Sequence, residues 1–176
     1  MPLVILEGAD GSGKSTLAAR LLKGTGHPTL LVKRSGPPGD LETIEFMSKW
    51  LKDQAELGLN VIADRHPIIS ECIYRPIVRR EGAAPWTMAE AAGAMRDKDL
   101  LLIYCRTVSV RQMRSAHVEQ QMDGVHDHYE ALLREYDKWF NAFDEWGLPV
   151  YRHDYSKDTT CEGAINRVKK FWETHE

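Results

Sequence analysis

Short apolar runs alternate along the chain with segments in which apolar residues recur every three or four positions. The apolar runs predict five β-strands, at 3–6, 29–33, 61–63, 100–105 and 150–152. The segments between them predict helices, at 14–23, from 40, at 69–80 with a disturbance at Pro76, at 87–96, from 109, and at 160–172. This alternation is typical of a parallel sheet covered by helices.

One long segment has the strongest helical pattern in the chain. Its apolar residues recur at spacings of three and four, as in a helix that packs one face on a core. They are Tyr129, Leu132, Leu133, Tyr136, Trp139, Phe140 and Phe143. We interpret these aromatic rings as core residues.

Composition favours an ordinary globular protein. The chain has 176 residues, of which 43% are hydrophobic and 28% charged, and we expect one domain over 1–176. A net charge of −3 excludes a global positive field that would attract nucleic acid. Three widely spaced cysteines and no apolar run long enough to span a bilayer predict a cytoplasmic protein without a membrane partner.

A glycine-rich stretch follows the first predicted strand. In "LEGADGSGKST", Gly8, Gly13, Lys14 and Ser15 satisfy the pattern G-x-x-x-x-G-K-[ST] between a strand and a helix. Such a loop turns its N–H groups towards phosphate oxygens, while the lysine contacts the β- and γ-phosphates and the hydroxyl binds Mg²⁺. We therefore expect ATP and Mg²⁺ to bind here. The residues expected to bind ATP are Gly8, Ala9, Asp10, Gly11, Ser12, Gly13, Lys14, Ser15 and Thr16.

Three enzyme classes share this loop. A GTPase would need a guanine-reading N-K-x-D, which the sequence lacks, and a remodelling ATPase is usually larger. A small kinase fits best, with a non-catalytic ATP-binding regulator as a further alternative.

The third predicted strand ends in Asp64-Arg65-His66. Because strand carboxyl ends face the ligand crevice, we expect Asp64 to point towards Lys14. Asp64 can bind the Mg²⁺ shell together with Ser15, or accept a proton from an attacking hydroxyl. Arg65 can bind an acceptor phosphate, with His66 beside it.

Further candidates come from other loops and from the fourth strand. Asp10 is either an acceptor-side carboxylate or a turn residue, Glu7 is interpreted as bridging loops, and Arg34 is expected to contact the acceptor. The transition state needs positive charge. The candidate arginines are Arg106, Arg111 and Arg114, whereas Arg75, Arg79 and Arg80 are interpreted as surface residues.

The stretches "VILEGADGSGKSTLA" and "VIADRHPIISE" together resemble the thymidylate kinase branch of the P-loop nucleoside monophosphate kinases. The resemblance implies a P-loop NTPase fold with a five-stranded parallel sheet and helices on both faces. It also implies ATP with Mg²⁺, a pyrimidine nucleotide acceptor and a possible homodimer. By position, Asp10 would approach the acceptor sugar, Arg34 and Arg65 its phosphate, and 109–123 would form a short lid.

The chain departs from that branch in its acceptor half. Only thirty residues separate Arg34 from Arg65, and the lid region has few arginines. With "KRSGPPG", "DRHPIISECIY" and "QMDGV", the chain resembles short bacteriophage kinases, some of them proposed to phosphorylate 5-hydroxymethyluracil in DNA. We therefore predict a kinase of a pyrimidine deoxynucleoside monophosphate, with 5-hydroxymethyluracil in DNA as the alternative acceptor. Because the net charge is negative, DNA binding would then depend on local arginines such as Arg75, Arg79 and Arg80.

Overall fold

The computed structural model describes residues 2–33, 41–57, 59–79, 82, 84–96, 99–106 and 124–175. Its strands are β1 (Leu3–Glu7), β2 (Thr29–Lys33), β3 (Asn60–Asp64), β4 (Leu100–Cys105) and β5 (Val150–His153). The α-helices within these residues are α1 (Lys14–Gly24), α2 (Leu41–Glu56), α3 (Pro67–Tyr74), α4 (Met88–Arg96), α5 (Tyr129–Glu145) and α6 (Glu162–Glu173). A π-helical turn, Arg75–Arg79, follows α3, and a 3-10 turn, His126–His128, precedes α5.

The strands form one parallel sheet in the order β2-β3-β1-β4-β5. Leu3 in the central strand is in register with Val61 on one side and with Leu100 on the other. The predicted five-stranded parallel sheet is therefore confirmed. The order places the glycine loop after β1 between the carboxyl ends of β3 and β4, where ligands bind in open α/β sheets.

Helices cover both faces of the sheet, as predicted. Alternate residues of a strand point to opposite faces. Val4 and Leu6 pack in a core with α1 and α6, whereas Leu3 and Ile5 pack in a second core with α2, α3, α4 and α5. The second core contains the α5 rings Tyr129, Tyr136, Trp139, Phe140 and Phe143, so the predicted core face of this helix is confirmed.

The helix predicted over 69–80 begins two residues earlier than expected, and the disturbance predicted at Pro76 is confirmed. The α-helix begins at Pro67, whose missing N–H is tolerated in the first turn. After Tyr74 the chain continues as the π-helical turn Arg75–Arg79. Pro76 cannot donate a hydrogen bond to the preceding turn, and this loss accounts for the disturbance predicted there.

Other boundaries shift by one or two residues. Thr87 lies just before α4, and the last helix begins at Glu162 rather than at residue 160. The predicted helix from 109 and the lid at 109–123 lie outside the described residues, apart from the turn that leads into α5. Across the described part of the chain, no helix is long and apolar enough to cross a membrane.

Candidate active site

The glycine loop follows a path that only glycine can take at its first position. Gly8 has φ 145°, and a Cβ added there would lie 2.3 Å from the carbonyl oxygen of Cys105. Gly13 has φ 86°, and a Cβ there would lie 3.3 Å from the Tyr155 side chain. The close approach of β4 and of the loop after β5 thus explains why the pattern needs glycine at these positions.

Lys14 lies across this loop as the first residue of α1. Its Nζ donates hydrogen bonds to the carbonyl oxygens of Gly8 and Ala9, both at 2.8 Å. Burial, and then the neighbouring Arg65 guanidinium, lower the pKa of Lys14 to about 8. The ammonium is therefore a buried cation that a phosphate group would stabilise.

Two hydroxyl groups of the loop can bind the polar parts of a nucleotide. Ser12 Oγ is buried and has no hydrogen-bond partner among the described residues. Ser15 Oγ donates to Asp64 Oδ2 at 3.3 Å, which joins the start of α1 to the end of β3. An unsatisfied donor beside a helix N-terminus fits a phosphate, and the Ser15–Asp64 oxygen pair fits Mg²⁺, which keeps several water ligands.

Arg65 lies between the loop and the helices α3 and α5. Its backbone has φ 84°, and its N–H donates to the Leu6 carbonyl at 2.9 Å. One terminal nitrogen donates to Asp10 Oδ1 and, at 3.0 Å, to the Tyr74 hydroxyl; the other donates to the Tyr136 hydroxyl at 2.9 Å. The guanidinium also lies 4.9 Å from the centre of the Tyr74 ring.

Glu7, the last residue of β1, is fully buried and contacts the residues around Arg65 from the core side. One carboxylate oxygen accepts the His66 N–H at 2.6 Å and the Ser70 hydroxyl at 3.2 Å. The other accepts the Tyr136 hydroxyl at 3.0 Å and lies 3.9 Å from Arg65. Burial raises the pKa of Glu7, and the charge of Arg65 and the His66 amide oppose that rise.

The structure brings several predicted site residues together. Asp10 binds Arg65 through its side chain and donates its backbone N–H to the Tyr74 hydroxyl at 3.1 Å, next to Lys14, Ser15 and Asp64. His66 is 2% exposed and lies under the turn before α3. Arg34, Arg111 and Arg114 lie outside the described residues, and their roles stay predictions.

Other arginines have carboxylate partners. Arg106 makes a two-pronged pair with Asp137, at 2.8 and 3.1 Å. Arg79 binds the buried Glu71, from which Arg75 lies 3.8 Å, so the interpretation of Arg75 and Arg79 as plain surface residues is wrong. The buried carboxylate at Glu71, one turn before the π-helical segment, draws both side chains against the protein.

Sequence reasoning missed Tyr74, Ser70 and the hydroxyl of Tyr136, and it gave Glu7 no part in the site beyond bridging loops. The ring of Tyr136 is a core residue, as its helical spacing indicates. A tyrosine in an otherwise apolar stripe nevertheless needs a partner for its hydroxyl when buried, and that need was the available signal.

The comparisons with known proteins support the fold through solved structures alone. No protein-family model matches the sequence, and no curated protein sequence matches it. The chain is similar to the YorR protein of Bacillus subtilis, solved in complex with phosphorylated GDP. The TM-score is 0.71 at 22% identity, over 99% of this chain and 98% of that one.

Two structures of deoxyadenosine kinase from M. mycoides are also similar. The one with the products dCMP and dCDP has a TM-score of 0.63 at 19% identity, over 97% of this chain and 100% of that one. The one with bound dATP has a TM-score of 0.59 at 17% identity, over 94% and 98%. The fold is the P-loop NTPase fold, with a five-stranded parallel sheet. At these identities the likeness establishes the fold alone, and the activity has to be inferred from the residues of the site.

Proposed function

We propose that this protein is an ATP-dependent kinase whose acceptor is a pyrimidine deoxynucleotide, first of all a deoxynucleoside monophosphate. One observation carries the proposal. The phosphate-binding loop with Lys14 and the Ser15–Asp64 pair lies directly beside a second polar cluster built on Asp10 and Arg65. Donor phosphates and an acceptor group can meet between the two.

On the donor side, the loop residues bind and orient a triphosphate. Lys14 exchanges its bonds to the Gly8 and Ala9 carbonyls for phosphate oxygens, while Ser12 and the N-terminus of α1 add hydrogen-bond donors. Ser15 and Asp64 would hold Mg²⁺, which neutralises the charge of the phosphates when bound.

On the acceptor side, Arg65 and Asp10 would bind different parts of the acceptor. Arg65 supplies a cation within reach of the transferred group, and its planar fork suits a phosphate oxygen pair. Asp10, whose side chain is 27% exposed, can accept a hydrogen bond from a sugar hydroxyl. One of the similar structures is a deoxyadenosine kinase with the products dCMP and dCDP, and this likeness favours an acceptor that contains a deoxynucleoside.

A second acceptor is favoured by a specific observation. The donors of Arg65 already bind Asp10, Tyr74 and Tyr136, so a phosphate must compete for them. A hydroxyl acceptor needs a carboxylate base instead, and Asp64 lies beside the donor site. This geometry is compatible with transfer to the hydroxymethyl group of 5-hydroxymethyluracil in DNA.

Incubation with γ-labelled ATP and separate acceptors tests the proposal. We expect label on a free pyrimidine deoxynucleoside monophosphate, and none with Lys14→Ala. Label found solely on DNA that contains 5-hydroxymethyluracil would establish the second acceptor. ATP binding without ADP release in the presence of either acceptor would contradict both and identify a non-catalytic regulator.

A further inference from the structure

We propose that Tyr136 and Glu7 are positioning residues that hold the Arg65 guanidinium at the acceptor side of the glycine loop. The inference rests on the proposed function, because it assigns to Arg65 a role in acceptor use. It concerns two residues that contact Arg65 and have no predicted contact with either substrate.

Arg65 is held from two sides that differ in exposure. Towards the crevice, its NH2 group binds Asp10, whose side chain is 27% exposed. Towards the core, its NH1 group donates to the Tyr136 hydroxyl, and behind that hydroxyl lies the fully buried Glu7. An incoming acceptor can displace the exposed contact with Asp10 but cannot reach the buried one. The core contact therefore keeps the guanidinium in place during the exchange.

The Tyr136–Glu7 bond also fixes the direction in which the hydroxyl acts. The Tyr136 O–H donates to Glu7, so the remaining lone pairs of the oxygen are free to accept from Arg65. Glu7 additionally binds the His66 N–H and the Ser70 hydroxyl, which fixes the turn that carries Arg65. The same carboxylate thus orients both the backbone and the side chain of that residue.

The Tyr136 ring does not depend on its hydroxyl for its position. It stacks on Tyr104 with centroids 6.0 Å apart and lies against Phe140 and Tyr74, each at 6.3 Å. Tyr136→Phe therefore removes the hydrogen bond while keeping the packing. Tyr151→Phe is the matched control, because Tyr151 is partly buried and packs against the core on the opposite face of the sheet.

The first measurement compares steady-state kinetics of the two variants. For Tyr136→Phe we expect kcat/KM for the acceptor to fall about tenfold to a hundredfold, the range for one hydrogen bond to a charged group. The KM for ATP should stay close to that of Tyr151→Phe, whereas the melting temperature should fall by several degrees, because the buried Glu7 loses a hydrogen-bond partner. Equal acceptor kinetics in the two variants would overturn the proposal.

A double-mutant cycle separates positioning from general support of the fold. If Tyr136 acts through Arg65, the same change made in an Arg65→Ala background should produce no further loss in acceptor kcat/KM. A loss of the same size in both backgrounds would show that Tyr136 acts by another route and would contradict the inference. Glu7→Gln provides a second variant and should reproduce the acceptor-specific loss.

A spectroscopic readout keeps this inference distinct from the proposed function. The Arg65 guanidinium signal, assigned in ¹⁵N spectra by its loss in Arg65→Ala, should show slow hydrogen exchange in the unaltered protein and faster exchange in Tyr136→Phe. An unchanged signal would overturn the positioning role even if the enzyme is active. Absence of phosphoryl transfer together with the expected change would overturn the kinase assignment and retain the structural role of Tyr136.

Discussion

The ammonium group of Lys14 is buried and lies near the Arg65 guanidinium, and both conditions disfavour its charged form. Its pKa is lowered to about 8, mainly by burial and next by Arg65, while Asp10 and Asp64 counteract the shift. A triphosphate beside the ammonium raises this pKa again, because the anion favours the charged form. Proton uptake by Lys14 is therefore linked to nucleotide binding.

We expect this linkage to appear as a loss of nucleotide affinity at alkaline pH. The protonated form binds, so raising the pH through about 8 depletes the competent species. From pH 7 to pH 9 the dissociation constant should rise about tenfold. Calorimetry with a non-hydrolysable ATP analogue at constant Mg²⁺ measures this dissociation constant at each pH. Lys23→Ala, on the exposed face of α1, should keep the dependence, and an unchanged slope in Lys14→Ala would contradict the assignment.

Asp64 can act in the Mg²⁺ shell or as a base, and which role it takes depends on the acceptor. Its carboxylate accepts the Ser15 hydroxyl, the position expected for a group in the Mg²⁺ shell. For Asp64→Asn we expect a loss of about 10²–10⁴ in kcat with a hydroxyl acceptor, which needs a base, and a smaller loss with a phosphate acceptor. Rates with both acceptors at saturating ATP measure the difference, and equal losses would leave Asp64 without a role as base.

At the residue scale, the sequence predicts contacts between residues that are close along the chain better than contacts between residues that are far apart along it. The loop of Gly8 to Ser15 follows from local spacing, and the pair Asp64–Arg65 follows from its place at a strand end. Tyr136 lies 129 residues from its partner Glu7, and no local pattern relates the two. Their contact depends on how α5 packs against β1, which the apolar stripe predicts as packing and not as a hydrogen bond.

At the scale of elements, sequence patterns located the strands and most helices, and at Pro76 they predicted a disturbance without its type. The apolar spacing across Ile69, Ile73 and Ile77 does not distinguish an α-helix from an α-helix that continues as a π-turn. Glu71 and Arg79 show the consequence, since the wider turn brings the arginine onto the buried carboxylate. Pro76 was the local signal for the change.

The start of α4 provides a prediction at this scale. Thr87 lies immediately before the helix; its hydroxyl accepts the Glu90 N–H at 3.2 Å, and the Glu90 carboxylate accepts the Thr87 N–H at 2.7 Å. This is a reciprocal cap of the first turn. Thr87→Ala should lower the free energy of unfolding by about 1 kcal/mol.

Chemical denaturation measures that change. Thr87→Ser keeps the hydroxyl and should retain most of the stability, which makes it the matched control. Equal stability of Thr87→Ala and the unaltered protein would show that the cap contributes nothing, and the catalytic rates should be unaffected in either case because α4 does not contribute to the site.

At the scale of the whole molecule, alternation of strands and helices predicts a parallel sheet but not the order of its strands. The order places β1 in the centre, so that its loop contacts β4 through Gly8 and Cys105 and approaches β3 through Ser15 and Asp64. The candidate site is therefore assembled from the ends of three strands. A ligand bound there stabilises contacts between elements that are distant along the chain.

Nucleotide binding should consequently raise the stability of the whole fold. At a ligand concentration one hundred times its dissociation constant, the gain is about 2.7 kcal/mol. For a domain of this size, that gain corresponds to a rise in melting temperature of about 5–10 °C. Thermal unfolding with Mg²⁺ and a non-hydrolysable ATP analogue measures it. Tyr151→Phe should show the full rise and Lys14→Ala little, whereas an equal rise in both would place nucleotide binding away from the glycine loop.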